Sequence, residues 1–201
     1  ARTEFPTEDF LPENPFVTAS NTTLKINFPN GDLQVNDFVR FRNVKSPVGG
    51  VAISTLQMST TLNGTITDTA TTIDLTDGSQ FPTSGFIVIE KVNAVSGLFE
   101  NEVIEYTGRS THQLTGCTRG TSAPYRGVSP VNTTASSHSS GAKVFGCYKV
   151  VSLNETSVPS TGQPATTTRF DGINVTLTNT ASGTETGGGF QCTIGPINDR
   201  G

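Results

Sequence analysis

The chain has 201 residues, of which only 33% are hydrophobic and 15% charged, with 21 glycines and a formal net charge of −4. That length supports one or two packed domains, and so little charge is unlike a disordered chain. The 13 Lys and Arg are scattered, which argues against a nucleic-acid partner, and no run approaches the roughly 18 apolar residues of a helical membrane span.

Residues 1–12, in "ARTEFPTEDFLPENP", read as an extended N-terminal arm. Pro6, Pro12 and, just beyond, Pro15 fix φ and remove donors, so no helix is predicted there. The stretch is acidic and proline-rich, the opposite of a secretory signal's basic start and apolar middle. Phe5, Phe10 and Leu11 are apolar points on a polar thread. They are candidate assembly contacts, whether the arm straps its own domain or a neighbour's.

From Asn14 the pattern is that of strands. "TLKINF" (23–28) alternates Leu24, Ile26 and Phe28 on one face, and "PNGD" after it is turn chemistry. "DFVRFRNV" (37–44) places Phe38 and Arg40 opposite Val39 and Phe41, and "SPVGGVAIS" bends at Gly49 and Gly50. A second texture begins near Gln57. "TATTIDLTDGSQFPTSGFIVIE" predicts strand, turn, strand; "FENEVIEYTGR" another strand; "HQLTGCTRG" a short strand ending in a turn; "SSHSSGAKVFG" the approach to a last one. "CYKVVSLN" alternates Tyr148 and Val150, "TRFDGINVTLTN" carries Asp171-Gly172 as a hairpin-type turn signal, and "SGTETGGGFQCTIGPI" is a Gly-rich turn before a final strand. No segment has the period of an amphipathic helix.

Cys117, Cys147 and Cys192 are odd in number and lack CxxC spacing, so they predict neither a metal framework nor a dense disulfide scaffold. Buried reduced thiols are the expectation; a Cys147–Cys192 staple or an intersubunit bridge is the alternative. Five Asn-x-Ser/Thr triplets, at Asn21, Asn63, Asn132, Asn154 and Asn174, are a consequence of the Thr content.

Two sets of motifs resemble β-modules of tailed-bacteriophage virion proteins. The first is "NPFVTASNTTLKINF" with "VNDFVRFRNVKSPVGGVAI", resumed much later by "YKVVSLNETS" and "INVTLTNTASGTETGGGFQCTI". The second lies between them: "FPTSG", "EVIEYTG", "LTGCTRG" and "HSSG", in that order. The resemblance implies an all-β chain in which a small β-barrel or sandwich module, 13–56 plus 147–198, carries a second β-module inserted at 57–146. Leu56 and Cys147 should then lie close in space. Two loops depart from the motif spacing, "EKVNAVSGLFENEVIEY" and "TSAPYRGVSPVNTTASSHSSG", and grown loops are where partner contacts concentrate. Tyr125 and Arg126, in the second, are candidate contacts, as is the terminal "IGPINDRG".

The run Tyr106, Gly108, Gly116, Cys117, Arg119, Gly120 with His138 admits two readings. A Cys nucleophile needs a base and an orienting group, and the chain has two histidines, His112 and His138. The structural reading explains more residues. The glycines suit positive-φ turns, Cys117 fills a tight core, and the Arg119 fork ties loop carbonyls or a carboxylate, with Glu102 and Glu105 as partners and His138 in a loop hydrogen bond. The run is therefore read as a fold signature, not a catalytic site. No GxSxG, HExxH or P-loop is present, "DLTDGSQ" is too short for a calcium loop, and no cofactor is implied. With no Trp and three Tyr, a sugar cleft of paired acids such as Glu90 and Glu100 is not supported. The resemblance thus implies a non-enzymatic virion protein of a tail, neck or baseplate, homo-oligomeric, with identical subunits and other virion proteins as partners. A capsid decoration protein is the rival. A receptor- or glycan-binding fibre module, with Tyr125 exposed in a groove, comes third.

Overall fold

The computed structural model describes residues 9–10, 16–19, 23–27, 33–45, 58–125, 128–131, 133–158, 167–176, 191–195 and 197, with side chains over 33–42, 58–125, 133–151, 194–195 and 197. Fifteen strands occur in it and no helix: β1 (Asp9–Phe10), β2 (Phe16–Ala19), β3 (Thr23–Asn27), β4 (Phe38–Lys45), β5 (Ser59–Thr61), β6 (Ile73–Asp74), β7 (Gly85–Ile89), β8 (Glu102–Tyr106), β9 (Gly108–Ser110), β10 (Gln113–Thr115), β11 (Ala123–Tyr125), β12 (Val128–Val131), β13 (Lys143–Val158), β14 (Thr167–Thr176) and β15 (Gln191–Gly195). β-branched and aromatic residues are concentrated in strands such as β4, β7, β8 and β13, where they suit a pleated, packed surface.

All strand pairings among them are antiparallel. The largest sheet runs β1-β15-β4-β13-β14-β3-β2, with β5 and the β7–β8 pair also joined to β13; β6-β10-β9 and β11-β12 form smaller sheets. The sheet is open at β1 and β2 and not closed into a barrel, so the barrel half of the barrel-or-sandwich expectation is corrected; the chain is all-β and sandwich-like.

β13 organises the whole. Successive residues of a strand aim their N–H and C=O groups at opposite edges. Ala142 and Gly146 bond to Leu62 and Met58, and Val150 to Asn36 and Asp37, whereas Lys143 bonds to Glu90. The even-numbered residues therefore hold β5 and then β4 along one edge, and the other edge holds β7 and then β14. The expected boundary between Gly146 and Cys147 falls inside this one continuous strand. Leu56 lies outside the described residues; Met58, two positions on, accepts the Gly146 N–H at 3.0 Å.

Two apolar clusters lie on the two faces of this arrangement. Val39, Phe41, Ile87, Ile104, Val144 and Tyr148 belong to the larger, together with Ile73 and Leu114 from the β6-β10-β9 sheet packed across it. Phe38, Phe86, Val88, Val103, Cys147 and Ile197 form the smaller, with Phe38 and Phe86 edge to face at 5.0 Å. The alternation read in "DFVRF" is reproduced: Val39 and Phe41 face one way, Phe38 and Arg40 the other, where Arg40 lies 4.2 Å from the Phe145 ring centre. Segments from both sides of 57–146 share the smaller cluster. Ile197 is buried there, its carbonyl accepting Asn101 Nδ2 at 2.9 Å, so this part of "IGPINDRG" is used within the chain.

Two local expectations are corrected. Asp171-Gly172 is not a hairpin turn: β14 runs through it, and Asn154 pairs with Gly172 while Glu155 pairs with Phe170, leaving Asp171 as an extra residue. A glycine inside a strand serves a bulge as readily as a turn, and pairing with β13 on one side and β3 on the other keeps the chain in the sheet. The arm, for its part, straps its own chain at Asp9 and Phe10, which pair with Ile194 and Thr193 of β15. Phe5, Leu11, "PNGD", Gly49, Gly50, the 177–190 turn and Arg126 lie outside the described residues, as does the side chain of Phe10.

Candidate functional site

Period-two alternation along β8 places Glu102 on the same face as Ile104 and Tyr106, which is the face of the larger core. Its carboxylate is 0% exposed. A charge in that position requires partners, and the chain around Arg119 provides them. After β10, Gly116 turns the backbone at φ +63° and residues 117–121 run beside the open edge of β8. Thr118 and Glu105 exchange N–H···O bonds at 2.8 and 3.2 Å, and Thr121 N–H donates to Val103 O at 2.9 Å. Alternation along this run sends Thr118 outward and turns Cys117 and Arg119 inward.

Arg119 grips Glu102 with both arms of its fork, Nε to Oε1 and Nη2 to Oε2, each at 2.8 Å. The rest of the guanidinium donates to backbone carbonyls, Nη2 to Ser136 O at 2.7 Å and Nη1 to Thr67 O. Glu102 Oε1 also accepts the Gly120 N–H at 3.0 Å; Oε2 accepts His138 Nε2–H at 2.6 Å and the Ser136 N–H at 3.3 Å. His138 is placed by its backbone, which exchanges two 3.0 Å bonds with Ile66. Burial favours the neutral acid, but the His138 bond, the Arg119 bonds and charge, and the Gly120 N–H outweigh it and hold Glu102 down at about 2. Of the two carboxylates expected for Arg119, Glu102 is the one engaged. His138, expected in a loop hydrogen bond, instead binds this core carboxylate, because its bridge to Ile66 aims the ring inward.

The other signature residues frame the same clamp. Tyr106 is buried with its hydroxyl donating to Pro82 O at 3.0 Å, tying "EYTG" to "FPTSG". Gly120, at φ +60°, has Ala135 N 2.9 Å from where a Cβ would sit, so it is needed for both conformation and room. Gly108 departs from the positive-φ expectation. It is an ordinary strand residue in β9, and the constraint on it is space, with Thr115 Oγ1 2.5 Å from the Cβ position. Tyr125 also departs: at 9% exposure it belongs to the larger core cluster and is not an exposed aromatic, because β11 turns its alternate residues inward.

The chemistry open to these groups is narrow. Burial pushes the Cys117 thiol up to about 11, against the lowering effect of Arg119, so Cys117 keeps its proton at neutral pH. His112 Nδ1 accepts the Gly78 N–H at 2.9 Å, and His138 Nε2 is held by Glu102. Ser136 Oγ stands 3.5 Å from His138 Nε2, the same nitrogen that meets Glu102. A proton relay needs hydroxyl and carboxylate on opposite ring nitrogens. Cys147 is likewise a free, buried thiol, pushed up to about 12 by burial, so the Cys147–Cys192 staple is not formed. Among the described residues no group of three His, Cys, Asp or Glu is placed to hold a metal.

Sequence reasoning found Arg119, Glu102 and His138 but missed what completes the clamp, the carbonyls of Thr67 and Ser136 and the N–H groups of Gly120 and Ser136. Backbone groups carry no residue-type signal. Comparison with protein-family models, curated proteins and solved structures finds no match.

Proposed function

We propose that this chain is a non-enzymatic structural protein of a tailed-phage virion, working in the tail, neck or baseplate through repeated contacts between subunits. The motif resemblance suggests it, and one observation carries it: the residues that could have been catalytic are engaged inside the fold. Arg119 and His138 both bond to the buried Glu102 carboxylate, and Cys117 is protonated and buried. A motif arranged in this way holds a scaffold together, and the partner-binding surface then lies in the loops the scaffold carries.

The test is the copy number per particle, by quantitative mass spectrometry of purified virions against the major capsid protein. Ring symmetry in a tail or neck predicts on the order of three to twelve copies. Hundreds of copies would place the chain on the capsid as a decoration protein, and absence from the particle would reject the structural role.

A further inference from the structure

The connection from β6 to β7 is pressed onto the turn between β9 and β10. Residues 76–80 are slung between two buried anchors, Leu75 and Phe81. Gly78, in the middle, is buried although its neighbours Asp77 and Ser79 are exposed. A Cβ on Gly78 would stand 2.9 Å from both His112 Cα and Thr111 O, so the loop backbone lies directly on the turn. The turn itself is strained. Thr111 holds φ +50°, a left-handed conformation that β-branched residues avoid. Bonds on both sides keep it there, Arg109 Nη1 donating to Thr111 O and the Leu75 N–H to His112 O, each at 2.8 Å.

One further bond joins loop and turn, and its acceptor is titratable. The Gly78 N–H donates to His112 Nδ1 at 2.9 Å. Only a bare ring nitrogen accepts, so this bond requires a neutral imidazole with its proton on Nε2. The same nitrogen lies 3.7 Å from Asp77 Oδ1. Hydrogen bonds from the Ser79 hydroxyl and N–H, with His112 nearby, hold the Asp77 carboxyl below the usual carboxylate range, so it is a charged acceptor ready for a proton on Nδ1. We propose that His112 is a proton-operated latch on the 76–80 loop: neutral, its Nδ1 holds the buried Gly78 N–H; protonated, the Nδ1–H turns to Asp77 and the loop is released from the strained turn. This device stands apart from the assembly reading above and holds whatever the chain assembles with.

The two arrangements exclude each other. A protonated Nδ1 offers a hydrogen and no lone pair, so the Gly78 N–H would face another donor in a buried position. A buried N–H without a partner is disfavoured, and lifting Gly78 toward water relieves it. The other charged groups on the elements packed here are already engaged: Asp74 of β6 accepts Gln113 Nε2 at 2.8 Å, and Arg109 of β9 bonds to Thr111. Asp77 is the carboxylate within ion-pair reach of the ring among the described residues. Leu75 and Phe81 stay in the core, so the change is confined to the loop between them. Acidification thereby remakes an exposed surface beside the β6-β10-β9 sheet, exchanging the Asp77 charge for an ion pair and freeing the backbone at Gly78.

Nitrogen-15 NMR of the full chain between about pH 8 and pH 5, the range in which histidines change charge, tests this. The His112 ring signals report where the proton sits. Hydrogen exchange, corrected for its intrinsic pH dependence, reports on the Gly78 N–H. At the neutral end Nδ1 should be unprotonated and coupled through the hydrogen bond to the Gly78 nitrogen. As the ring gains its second proton, that coupling should vanish and Gly78 protection should fall several-fold, up to about tenfold, the weight of one net hydrogen bond. His112→Asn puts a side-chain carbonyl oxygen near the place of Nδ1 and locks the latch, so Gly78 should stay protected throughout. His112→Ala should show the released level at every pH. The latch is overturned if Nδ1 carries the proton at the neutral end, or if Gly78 protection holds steady while the ring is protonated; wild type alone decides both. It is also overturned if protection falls as far in His112→Asn as in wild type, which would trace the loosening to another group.

Discussion

Glu102→Gln tests the reading of the clamp most directly. The carboxylate accepts five hydrogen bonds, two from Arg119 and one each from Gly120, Ser136 and His138. The amide is nearly the same size but has one acceptor oxygen, and its NH₂ must face donors. The Arg119 side chain is 7% exposed, so its charge cannot turn to water for compensation. Removing one partner of a buried pair costs about 3–5 kcal/mol, a large part of the roughly 5–15 kcal/mol that holds a domain folded. The lowered Glu102 carboxyl, set by the same bonds, points to a cost of the same order. Glu102 falls from an ordinary 4.5 to about 2, and at ~1.4 kcal/mol per pH unit that gap is about 3 kcal/mol. Because the folded-state value is the lower one, the unfolded chain takes up the proton first. The stabilisation is complete above about pH 4.5 and drains away as pH falls toward about 2. Urea titrations of wild type and Glu102→Gln from pH 7 to pH 2 should show a gap of about 3 kcal/mol at neutral pH that closes on acidification. A loss under about 1 kcal/mol at pH 7, or a gap independent of pH, would refute the reasoning.

Other consequences can be checked by the same denaturation assay or by thiol chemistry. Gly120→Ala should cost about 1–3 kcal/mol and exceed Gly141→Ala. Both glycines have positive φ, but only Gly120 also lacks room, so equal losses would show that the contact with Ala135 does not matter. Tyr106→Phe should cost about 1–2 kcal/mol through the stranded Pro82 carbonyl; an unchanged midpoint would remove the hydroxyl from the account. Alkylation at pH 7 with peptide mapping should leave Cys117 and Cys147 unmodified in the native chain and label both after unfolding, since burial raises both thiols. Rapid native labelling of Cys117 would revive it as a nucleophile.

Much of the fold was legible because a strand's inside and outside are written at period two. "DFVRF" and "CYKVV" announced their buried faces, and the antiparallel faces of the structure agree with them. What misled was the reading of glycine. Asp171-Gly172 looks the same in a turn and in a bulge, and only the strands on either side decide which forms. Gly108 looked like a positive-φ glycine and is instead an ordinary strand residue whose Cβ position lies against the Thr115 hydroxyl. Tyr125, beside a proline in a polar loop, gave no local sign that β11 would fold it into the core.

The residue types of the clamp stood in the sequence: a guanidinium five-donor fork, a carboxylate within a strand of apolar residues, and one of only two histidines. Chemistry alone therefore offered Arg119 loop carbonyls or a carboxylate as partners. Tertiary structure decided that it would be Glu102 and not Glu105, since the two lie three residues apart on opposite faces of β8, one wholly buried and the other exposed. It also decided that His138 would join them. Period and composition are local properties that a sequence carries residue by residue. Which backbone carbonyl reaches a guanidinium, and which backbone N–H meets an imidazole, depends on segments far apart in the chain and exists only once they are packed.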